Sequence, residues 1–139
     1  MRARRFFWLR AYQILAGCSD TATGIALLFL PATTLRWMGI EAENSSLIWF
    51  SYIGAFVLAV GLTYFLVFVE ESQSPDPHSG WRMQWRITAL ARTLVALLIV
   101  WKFAAGDMPW QWLEVAATDG AYAALQWAGL ARGWLRDGE

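Results

Sequence analysis

The chain has 139 residues, 58% of them hydrophobic and only 16% charged, where an ordinary soluble domain carries about 25% charged residues. Eleven basic residues balance eleven acidic ones, which argues against a nucleic-acid binder, against a disordered chain, and against a water-exposed small domain with net charge away from zero. The single cysteine excludes an internal disulfide framework and a cysteine-based zinc site, and the length fits one compact unit.

The first apolar run extends from about Phe6 to Leu30 and stops at Pro31. Within it, Leu15-Ala16-Gly17-Cys18 has the form of a lipoprotein cleavage box. The stretch before it is broken by Arg10, Tyr12 and Gln13, a poor signal core, so Cys18 is read as a small apolar residue of the span. Asn44, Ser45 and Ser46 offer a helix cap for a second run, about residues 47–69, that is apolar all round. The polar stretch Glu70 to Gly80 follows, holding Pro75 and Pro77, and is expected to be a mobile loop. Its His78 has no second His or Cys near it, so no metal role is expected. A third run covers about 85–103. Pro109 then opens a fourth over about 110–130, with Asp107 or Met108 as the expected cap.

Runs of this length match the roughly 20 residues that a helix needs to cross about 30 Å of hydrocarbon. A soluble bundle would instead show polar faces at a 3.6-residue period. The expected architecture is therefore all-α: a four-transmembrane-helix antiparallel bundle, with residues 1–139 forming a single integral membrane domain. Four spans put both termini and the central loop on one side. That side holds Arg2, Arg4, Arg5, Arg10, Arg82, Arg86, Arg132 and Arg136, and the other holds only Arg36 and Lys102. The excess places both termini in the cytoplasm. The ten tryptophans divide equally, with Trp8, Trp81, Trp85, Trp127 and Trp134 toward the inner ends and Trp37, Trp49, Trp101, Trp110 and Trp112 toward the outer ends, as interfacial belts require.

Three ionisable residues fall at the wrong depth for such a protein. Arg92 and Asp119 each lie about 13 Å along their helix from an outer Trp, and Asp20 about 16 Å from Pro31. Intramembrane charges are functional-site hypotheses by default. The third and fourth spans are joined by a short turn, so Arg92 and Asp119 are expected to pair, with Asp20 closing a triad if the first helix packs beside them. One Arg facing two Asp leaves one carboxylate to be solvated, or to hold a proton or cation. Gln13 and Gln126 lie on the same inward faces, and Glu114 sits near the outer end. Small residues at helical spacing, Gly17 with Gly24 and Gly54 with Gly61, allow close helix approach.

The order of features resembles a known group. A first helix with Tyr12, Gly17, Asp20 and Gly24 runs to Pro31, followed by Trp37-Met38-Gly39. Gly54, Gly61 and Tyr64 mark the second helix, Arg92 the third, and Asp119 and Gln126 the fourth. This layout resembles the small four-helix bacterial membrane proteins grouped as DoxX-like. The resemblance implies a multi-pass inner-membrane protein, often accessory to redox or other membrane systems, and carries over no catalytic residue.

The leading functional expectation is a non-enzymatic accessory or structural subunit of a membrane complex, or a homo-oligomer, in contact with the lipid bilayer. A small-molecule or lipid binder, or a proton-coupled carrier using Asp20, Arg92 and Asp119, is the alternative. An enzyme acting on a lipid-like substrate is a third reading. No cofactor, metal or nucleic acid is expected.

Overall fold

The computed structural model describes residues 2–73, 76 and 78–135, with side chains from Phe6 onward. Pro75, Pro77 and Arg136 lie outside the described residues, as do the side chains of Arg2, Arg4 and Arg5. The protein is all-α. Helices α1 (Arg2–Phe29), α2 (Pro31–Trp37), α3 (Leu47–Glu71), α4 (Ser79–Ala104) and α5 (Leu113–Ala131) are joined by turns that include short 3-10 segments at Asn44–Ser46 and Trp110–Trp112. They form two compact units, Met1–Val69 and Glu70–Glu139.

Among the described residues, two helical segments are long and apolar enough to cross a membrane, Asn44–Glu71 and Ser79–Ala104. The two other expected spans are helical too, but α1 carries Arg10, Gln13 and Asp20 and α5 carries Glu114, Asp119 and Gln126.

In the first unit α1 and α3 run antiparallel along a seam of glycines. A Cβ on Gly54 would lie 2.5 Å from Leu28 N, and one on Gly61 would lie 2.5 Å from Thr21 N. A Cβ on Gly24 would run into the backbone of Leu58, and one on Gly17 would lie 2.9 Å from Tyr64 Cβ. The matched pairs rise on one helix as they fall on the other. Gly17 and Gly24, like Gly54 and Gly61, are seven residues apart, which is two turns and so one face of a helix. Absent side chains let the two backbones touch.

Helix ends follow from local chemistry. Pro31 lacks the N–H needed to continue α1 and takes the first position of α2. Helix α2 closes at Gly39, which adopts φ 70°. Ile40 N donates to Leu35 O at 2.8 Å and Gly39 N to Arg36 O at 3.0 Å, the Schellman arrangement, with Leu35 and Ile40 both buried beneath it. Gly106 ends α4 in the same way: Asp107 N donates to Lys102 O and Gly106 N to Phe103 O, each at 3.0 Å.

Three boundary expectations are corrected. Helix α4 starts at Ser79 rather than near 85, because Trp81, Gln84 and Trp85 are buried on its first turns. Pro109 is extended, at ψ 155°, and introduces the 3-10 turn, so α5 begins only at Leu113. Asp107, expected as a cap, instead accepts from Lys102 Nζ at 2.9 Å. Asn44 to Ser46 form a 3-10 turn after extended Glu43, with no side-chain cap. Ser46 Oγ donates to Glu43 O at 2.7 Å.

Candidate functional site

Several polar residues of the second unit lie on the facing sides of α4 and α5. Gln84, Thr88 and Arg92 follow one another every four residues, so they share one face of α4, and all three are buried. Asp119, Tyr122 and Gln126 take the i, i+3, i+7 positions of α5, which also share a face.

Arg92 Nη1 donates to Asp119 Oδ1 at 2.5 Å, with the Arg side chain 6% and the Asp side chain 18% exposed. The guanidinium carbon also lies 4.6 Å from the centroid of the Tyr122 ring, where the ring's electron-rich face attracts a cation. One turn of α4 earlier, Gln126 Nε2 donates to Thr88 Oγ1 at 2.8 Å, and the same hydroxyl donates to Gln84 O at 2.9 Å. Thr93 Oγ1 accepts from Trp127 Nε1 at 3.2 Å and donates to Ala89 O at 2.7 Å. Each hydroxyl thus uses its donor on its own helix and its acceptor across the interface, which ties α5 to α4 at a defined register.

The expected Arg92–Asp119 pairing is present. Asp20 belongs to the first unit, where it is partly exposed on α1 next to the Gly61 contact. Gln13 is fully buried in that unit, and its Nε2 donates to Tyr64 O at 3.4 Å. Glu114 is exposed in the first turn of α5, where a carboxylate complements the helix dipole. Cys18 is exposed. Among the described residues no three His, Cys, Asp or Glu side chains gather to hold a metal ion. Lys102 bonds Asp107 at its helix end, and its ammonium lies 5.0 Å from the Trp101 ring centroid.

No family model matches the chain, and neither a characterised protein nor a solved structure matches it.

Several members of the polar layer escape a reading of the sequence. Thr88 and Gln84 carry a signal, their four-residue spacing from Arg92, whereas Tyr122 is hidden among aromatic residues. The tryptophans also divide differently from a simple pair of belts. Trp37, Trp49, Trp101 and Trp110 are strongly exposed, but Trp81 and Trp85 are completely buried. A Cβ on Gly129 would lie 2.5 Å from the Trp85 ring and 2.8 Å from that of Trp134. Trp85 is therefore a packing residue that needs a glycine opposite it.

Outside this layer polarity is reversed. Ile48, Ile53, Phe56, Leu62 and Leu66 on α3 are exposed, as are Ile87, Leu90, Leu94, Leu97 and Leu98 on α4. Gln13, Gln84, Thr88, Arg92 and Gln126 are buried. In water-soluble proteins the polar classes are mostly outside and the aliphatic ones most often inside.

Proposed function

We propose that the chain is a four-span protein of the bacterial inner membrane, with both termini and the Glu70 to Gly80 segment cytoplasmic, and that it works as a non-enzymatic accessory subunit of a larger membrane assembly. The reversed polarity carries this reading. Aliphatic side chains are exposed on α3 and on α4, while Gln, Thr and Arg side chains are buried and hydrogen-bonded, which suits hydrocarbon as solvent. The eight-to-two arginine and lysine asymmetry supports the orientation. The DoxX-like layout supports the bacterial inner membrane.

The arrangement of the charges favours a structural part for the polar layer. Arg92 stays protonated, and it is met by Asp119 and by the Tyr122 ring. Such a pair makes α4 and α5 hold one register. The connections between helices are short, so the surface offered to a partner is mainly that of the helices themselves.

Topology is tested in a Cys18→Ser background with single cysteines introduced at Ser72 and Asp107. A membrane-impermeant maleimide is expected to label Asp107→Cys in spheroplasts and Ser72→Cys only after lysis. The reverse pattern overturns the orientation. For the accessory role, crosslinking in native membranes followed by mild-detergent extraction is expected to recover the 15.7 kDa chain within a larger hetero-complex. Recovery as the free monomer alone overturns it.

A further inference from the structure

We draw no further inference here: the strongest candidate, the exposed stripe of Ala117, Ala121 and Ala124 on the face of α5 opposite Asp119 and Gln126, carries nothing because nothing in the structure shows what covers it.

Discussion

Arg92 on α4 and Asp119 on α5 meet at 2.5 Å, with the arginine 6% exposed and its guanidinium over the Tyr122 ring. Removing one partner leaves the other's charge largely buried without this ion pair, whereas removing both takes both charges away. Asp119→Leu is expected to lower stability by about 3 kcal/mol, as for other broken buried pairs, and the double variant Arg92→Met/Asp119→Leu to recover most of that loss. Denaturant or thermal unfolding in detergent of the wild type, both single variants and the double variant checks this. A double variant no more stable than the worse single variant would show that the pair is not one energetic unit.

The glycine seam gives a contrast between two substitutions of the same kind. A Cβ at Gly54 would sit 2.5 Å from Leu28 N, a backbone atom that cannot rotate away, whereas one at Gly120 meets nothing within 4 Å. Gly54→Ala is expected to force α1 and α3 apart and cost about 1–3 kcal/mol or more. Gly120→Ala has only its helix propensity to gain and is expected to stabilise by up to about 1 kcal/mol. Melting temperatures of the two variants, measured side by side, are expected to move in opposite directions.

The four helical runs were legible because apolar length needs no tertiary information. Pairing of Arg92 with Asp119 was legible for a related reason: a short turn makes α4 and α5 neighbours, and equal depth brings the two residues level. Depth places Asp20 in the same layer, but which way it points around its helix is set by packing that spacing along the chain does not give. The start of α4 was misread because Gly80 to Gln84 mixes polar and aromatic residues as a loop does. What decides that segment is the burial of Trp81 and Trp85, and the Trp85 ring packs against Gly129 from another helix. The caps failed for a local reason, since Pro109 and Glu43 are extended and 3-10 turns occupy the sites that Asp107 and Asn44 would have capped.

The segment before α4 carries a pH-sensitive contact. Arg82 donates to Asp76 and holds its carboxyl below the ordinary range, with a smaller contribution from the His78 backbone N–H. A depressed acid contributes stability above its unfolded value of about 3.9 and loses it as pH falls through the folded value. The contact is therefore expected to be intact at neutral pH and to loosen only below about pH 4. Because the Asp76 side chain is half-exposed, the effect is local. Hydrogen exchange at the first turns of α4, where Arg82 also bonds Leu135 O at 3.0 Å, is expected to rise in acid. Asp76→Asn is expected to raise it already at neutral pH and to remove the acid-dependent step. An unchanged acid profile in that variant would assign the step to another carboxylate.

The tryptophans divide into two populations that a quencher can separate. Trp85 is completely buried, with its ring against Gly129, while Trp37 is 79% exposed. A single-tryptophan set, with the other nine changed to Phe, is expected to show Trp85 shielded both from aqueous iodide and from lipid carrying a quenching group on its acyl chain. Trp37 is expected to be reached by iodide or by a headgroup-level quencher, as an interfacial residue is. Their energetics follow the same division. Trp85→Ala empties a packed site and is expected to cost about 3–5 kcal/mol, whereas Trp37→Ala is expected to stay within about 0.5 kcal/mol of wild type, as surface changes do. Gly129→Ala supplies an independent check, since its methyl would press on the Trp85 ring and shift the Trp85 emission without removing a chromophore. Equal quenching of Trp85 and Trp37, or an unperturbed emission in Gly129→Ala, would show that Trp85 faces outward and that the register of α4 against α5 is different.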